Sequence, residues 1–327
     1  MQSKASPAAT LAQPAKLGLS ARLRDNVVYL CFGAVLIFFA MTIGDKGFLT
    51  VANLFNITRT SSMITIMAVA MTLIISAGEL DLSVGSIAAL AALAAGLAIE
   101  AGYGVMGGVA AALVSGLIVG ALNGFFVTVV NIPSFLVTLG MMQFVRGVDM
   151  RVTYTKPVPI ANPTFNAIFG SGSVGPFPSL FVWSILVVAL GHVVLKYTPF
   201  GRAVLASGGN PLAARYSGIN TARVKFICFL ITAVAASLAG LLYSGMMQTA
   251  RYTFGAGAEL AAIAAVILGG TSLFGGKGSI IGTFIGALLI ATINNGLIIL
   301  GLDVSEQNMV AGAIIILAVA FGRKPTK

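Results

Sequence analysis

Residues 104–130 read GVMGGVAAALVSGLIVGALNGFFVTVV, without one charged side chain. A helix over this run reaches about 40 Å, more than the ~30 Å hydrocarbon core of a bilayer. The whole chain matches this stretch. It has 327 residues, 58% of them hydrophobic and 9% charged, where soluble domains carry about 25% charge. Mean hydropathy is +1.00. The solvent for most of this chain is lipid.

Nine further apolar runs stand at 27–43, 57–76, 83–99, 133–145, 178–197, 224–248, 259–269, 280–301 and 308–322. The expected fold is an all-α, polytopic transmembrane bundle of about ten spans, in two five-span halves joined near 146–177. Two runs, 133–145 and 259–269, are short for a full crossing. The domain division is a tail over 1–26, a membrane domain over 27–322 and a tail over 323–327. The first run follows a basic stretch without a small-residue cleavage site after it, and reads as a retained span.

The net charge is +10. Basic residues gather in both tails and in 197–224, the pattern that keeps positive loops on the cytoplasmic side. Both termini and 197–224 are therefore expected there, with 146–177 as a long outside loop. No aromatic-interleaved basic patch suggests nucleic acid. Cys31 and Cys228 lie in apolar runs and read as buried hydrophobes. Gly116, Gly120 and Gly124, like Gly282 and Gly286, recur at the spacing that lets helices pack closely.

Three segments interrupt the apolar pattern. The first is Gly78-Glu79-Leu80-Asp81-Leu82-Ser83-Val84-Gly85-Ser86. Gly78 breaks the incoming helix, while Asp81 and Ser83 can accept hydrogen bonds from the free N–H groups that open the next. Carboxylates at a membrane break also suit contact with a solute or a gate; both readings stand. The second holds Gly201, Arg202, Asn210, Pro211, Ala213, Ala214, Arg215, Gly218 and Ile219. Asn210-Pro211 fits a helix start and Gly218 its end, giving a short helix outside the bilayer suited to docking a protein. The third, Leu268 to Ser279, contains Gly276-Lys277 but lacks the spacing of a phosphate-binding loop. It reads as a hinge, and no nucleotide or other cofactor is expected.

Asn123, Asn131, Gln143, Gln248, Asn294 and Asn295 place uncharged donors and acceptors near spans, and are the candidate translocation path. Bonding between helices is the other reading of the same residues. His192 reads as a packed neutral histidine; Trp183 and Tyr197 read as interface anchors. No nucleophile–base pair or metal spacing suggests an enzyme.

The three segments in this order, over about residues 27–322, resemble the ribose-type permeases of bacterial ABC importers. The resemblance implies a non-catalytic inner-membrane subunit that moves a small polar solute, most readily a monosaccharide. It implies a cytoplasmic ABC ATPase, a periplasmic solute-binding protein, a second permease (a copy or a sister) and surrounding lipid as partners. By that resemblance, 201–220 couples the permease to the ATPase. Ala213-Ala214 and Gly218 are similar to the Glu-Ala-Ala loop of importer permeases, with Leu212 where that loop has Glu. Glu79 stands where relatives commonly carry an aliphatic residue. A branched-chain amino acid or nucleoside permease is the neighbouring alternative. An ion-coupled carrier, with Asp81 or Glu79 holding the ion, is the alternative from another class.

Overall fold

The computed structural model describes residues 27–322; both tails lie outside the described residues. Ten long or apolar helices form its body. They are α1 (Val27–Ile43), α2 (Val51–Ser76), α3 (Val84–Glu100), α4 (Gly104–Thr128), α5 (Ser134–Thr153), α7 (Ser179–Tyr197), α10 (Thr221–Met247), α11 (Ala258–Leu268), α12 (Ile280–Leu300) and α13 (Val304–Gly322). Three short helices, α6 (Pro163–Asn166), α8 (Pro199–Gly209) and α9 (Pro211–Tyr216), lie in the connections. Lipid offers the backbone no partners, so each buried run closes its own hydrogen bonds as a helix. Polar residues set the starts. Thr50, Thr198, Asn210, Asn220 and Ser279 each accept a backbone N–H three residues on, as N-caps do.

All ten apolar runs are helical, and the all-α polytopic class is thereby established. Among the described residues six segments are long and apolar enough to cross a membrane. Helices α3 and α11 are shorter apolar helices. Helix α5 is longer than the apolar run 133–145, reaching Thr153 through Arg146, Asp149 and Arg151. Asp149 is buried, and Arg146 donates to the carbonyls of Tyr252 and Phe254. Those carbonyls give Arg146 its partners where hydropathy stops, while both oxygens of Asp149 lack a hydrogen-bond partner among the described residues. The expected loop 146–177 is correspondingly shorter. It holds β1 (Val158–Pro159), α6 and a hairpin of β2 (Ser173–Val174) with β3 (Phe177–Pro178). Strand β1 pairs antiparallel with β4 (Thr249–Ala250), Val158 opposite Ala250.

The two halves of the sequence do not form two separate bundles. Helix α10 packs along α2, α3 and α4, while α7 and α12 pack on α2. Helix α2 is the central post, buried almost continuously from Ser61 to Ser76. Small residues make this interleaving possible. A Cβ on Gly120 would come within 2.5 Å of Ala233 on α10. One on Gly286 would overlap the carbonyl of Ala265 on α11. Both glycine rows thus serve helix packing, as their spacing suggests. The two shorter helices begin in contact, with the backbone of Gly85 against that of Gly255.

Candidate functional site

The three interruptions of the apolar pattern meet at one end of the bundle. Helix α2 ends there: Gly78 takes φ +85°, its N–H donates to the Ile75 carbonyl at 2.9 Å, and Glu79 N–H donates to Ile74 at 3.0 Å. This is the paired-bond helix ending that glycine permits. Helix α9 ends the same way, with Gly218 N–H to Arg215 at 2.9 Å and Ile219 N–H to Ala214 at 3.0 Å. Between the segments the backbones touch. Gly208, near the end of α8, sits so close that a Cβ would overlap the Ser76 carbonyl. Gly276 N–H donates to that same carbonyl at 3.0 Å, and Gly275 lies against Gly208.

Residues 79–81 leave α2 as irregular chain and carry a polar network. Asp81 is fully buried. Its Oδ1 accepts from Ser83 N–H at 2.9 Å and from Ser83 Oγ at 2.6 Å, and its Oδ2 accepts from Thr232 Oγ1 on α10 at 2.8 Å. Asn123 on α4 donates through Nδ2 to Ser83 Oγ at 2.8 Å. Ser83 therefore does not cap α3 with its side chain, which differs from the expectation. Its hydroxyl donates to Asp81 and accepts from Asn123, while its carbonyl receives Ile87 N–H and Ser86 Oγ, each at 2.9 Å. Gly85 and Ser86 are buried in the first turn of α3. Leu80 is held on the other side, its N–H donating to Ser134 Oγ at 3.1 Å and its carbonyl accepting from Thr138 Oγ1 at 3.4 Å.

Glu79 pairs with Lys225, in the second turn of α10, at 2.5 Å. Both line a cleft of about 230 Å³ with Asn131, Arg215 and Thr221. Arg215 Nε donates to Thr221 Oγ1 at 2.9 Å, joining α9 to α10. Sequence reasoning missed Lys225, Thr232 and Thr221 as partners. Each is ordinary locally, and its meaning lies in a neighbour distant in sequence.

The second segment folds as two helices. Gly201 is buried in the first turn of α8, tight against the end of α7, and Arg202 is exposed. In α9, Asn210, Pro211, Ala213 and Arg215 are exposed and Ala214 is buried. Leu212 and Tyr216 are 65% and 90% exposed, so α9 presents an uncovered apolar side.

The six amides do not gather in one cavity. Asn123 is in the network described. Asn295 and Asn53 exchange two bonds of 2.9 Å between α12 and α2, and Asn294 is half-buried beside it. Asn131, Gln143 and Gln248 are exposed. Asn131 sits between α4 and α5, Gln143 midway along α5, and Gln248 at the far end of α10.

A family described as branched-chain amino acid transport system / permease component matches residues 53–319. The chain belongs to this family. The permease is 41% identical over 286 residues to the ribose import permease RbsC of Escherichia coli K12, covering 86% of this chain and 88% of the relative. It is 36% identical to the ribose import permease of Bacillus subtilis, over 89% of this chain and 91% of that one. It is 31% identical to the autoinducer 2 import permease LsrC of Yersinia pseudotuberculosis, over 88% and 82%. The resemblance to ribose-type ABC permeases is therefore shown. The shared segment contains all three interruptions and the end of the bundle where they meet.

Proposed function

We propose that this permease forms the translocation path of an ABC importer for a monosaccharide, delivered by a solute-binding protein from outside the membrane. The observation that carries the reading is the 41% identity with a ribose import permease along 86% of the chain. The geometry agrees with it. Helix α9 offers an exposed apolar side, Leu212 and Tyr216, for a cytoplasmic ATPase. It stands next to the junction through which movement would reach the bundle interior.

In this reading the chain crosses the membrane ten times, with both termini on the side of the ATPase. The ATPase hydrolyses the nucleotide. Its closure on ATP shifts α8 and α9, and the permease opens outward to accept solute. A second permease completes the path, and we assign the exposed amides Asn131, Gln143 and Gln248 to the side that faces it. They run from one end of the bundle to the other and suit the hydroxyls of a sugar. Asp81 has its oxygens bonded within the protein, so it holds the break in shape and does not bind solute.

The family description favours one other substrate class, a branched-chain amino acid. The test is uptake into proteoliposomes holding the permease, its ATPase and its binding protein. ATP-dependent uptake of a labelled pentose, with no uptake of leucine, is the expected result. Uptake of leucine alone would replace the sugar reading. Uptake driven by an ion gradient without the ATPase would overturn the importer reading itself.

A further inference from the structure

Glu79 and Asp81 attach the helix break to a single face of α10. Glu79 pairs with Lys225 and Asp81 accepts from Thr232. Lys225 and Thr232 are seven residues apart, two helical turns and about 10 Å along one face. A single attachment would let the irregular segment pivot. Two attachments two turns apart fix its direction as well as its position.

The lower attachment is continuous with α9. Arg215, in the last turn of α9, is bonded to Thr221, the first residue of α10. Lys225 follows one turn later on the same side. Arg215, Thr221, Lys225 and Glu79 line one cleft, so the contacts make an unbroken path from α9 to the break. On its far side the break is bonded to Ser134 and Thr138 of α5.

We propose that the Glu79–Lys225 pair is a transmission strut, carrying displacement of α9 through the first turns of α10 to the break that precedes α3. The proposal rests on the importer reading above, and gives that reading a named positioning pair. The environment suits a strut. The side chains of Lys225 and Glu79 are 22% and 13% exposed, so their attraction is weakly screened compared with a surface pair. Separating them would leave two partly buried charges uncompensated. The pair therefore resists separation. An aliphatic residue at 79 would pack against α10 but would not hold Lys225.

The test uses the full transporter in proteoliposomes, with its ATPase and binding protein. Glu79→Gln, Lys225→Met and the exchange Glu79→Lys with Lys225→Glu are compared with the unaltered chain. Three quantities are read: copurification of the ATPase, stimulation of ATP hydrolysis by loaded binding protein, and uptake. The ATPase is expected to copurify throughout. Stimulation and uptake fall about tenfold in each single variant, within the usual size of coupling between sites. The exchange restores both to within about threefold, the non-additivity that marks a direct pair. Glu79→Asp, which keeps the charge, also stays within about threefold. Single variants that retain stimulation and uptake within about twofold would overturn the strut. So would an assembled exchange variant as impaired as the singles. Failure of the ATPase to copurify with the unaltered chain would count instead against the importer reading.

Discussion

Gly276 donates its backbone N–H to the carbonyl of Ser76 at 3.0 Å, joining the third interruption of the sequence to the end of α2. Gly208 packs against the same carbonyl, so three segments share one backbone oxygen's surroundings. Gly208→Ala is expected to force these backbones apart and destabilise the permease by about 1–3 kcal/mol, the usual penalty of overpacking. Thermal unfolding of the purified protein in mild detergent measures it. An unchanged midpoint would mean the junction opens easily.

Asp81 gathers three donors while fully buried. Asp81→Ala leaves the Ser83 N–H and hydroxyl without this acceptor, at about 1–3 kcal/mol for each donor left bare, while Thr232 Oγ1 turns to the Phe229 carbonyl at 2.9 Å. Asp81→Asn keeps the volume and one acceptor oxygen for Ser83, and its amide nitrogen requires the Thr232 hydroxyl to turn to the Phe229 carbonyl. The expected order of thermal midpoints is wild type, then Asn, then Ala. A wild-type midpoint for Asp81→Ala would show that water or another group replaces the carboxylate.

The paired amides Asn53 and Asn295 tie α2 to α12 by two bonds. Interhelical bonds in membranes average about 0.6 kcal/mol, so a double-mutant cycle with Leu at both positions should give a coupling of about 1 kcal/mol. A coupling near zero, with uptake lost, would instead place Asn295 in contact with solute.

Tyr216 is 90% exposed on α9. Tyr216→Ala is expected to shift folding stability by less than about 0.5 kcal/mol. If it anchors the ATPase, the same change should weaken association by about 2 kcal/mol, roughly thirtyfold. Quantified copurification in detergent reads this, and equal recovery of ATPase from both forms would remove Tyr216 from the interface.

The helices were legible because a bilayer core demands long apolar runs, and every such run here is a helix. Gly78 and Gly218 were legible as helix ends because each adopts a left-handed conformation that other residues resist. The extent of α5 was not legible. Arg146 ends an apolar window, yet the carbonyls that receive it belong to Tyr252 and Phe254, more than a hundred residues away. The candidate site was legible as three separate segments but not as one place. Their meeting depends on glycine backbones in contact, and nothing local encodes which glycine meets which. The amides show the same limit: Asn295 bonds a neighbouring helix whereas Gln143 is exposed, and residue type does not distinguish the two.

The interleaving of α10 with α2, α3 and α4 has a consequence for biogenesis. Thr232, which completes the shell of Asp81, lies 151 residues downstream of it. At ribosomal rates of ~5–20 residues per second, the early helices wait roughly 8 to 30 s before that partner is synthesised. During this interval the Asp81 carboxylate waits in the nascent chain with its final partner missing. A chain terminated before Thr221 leaves the quality-control proteases of the cell a recognisable orphan, and should be cleared rather than accumulate as a half-permease.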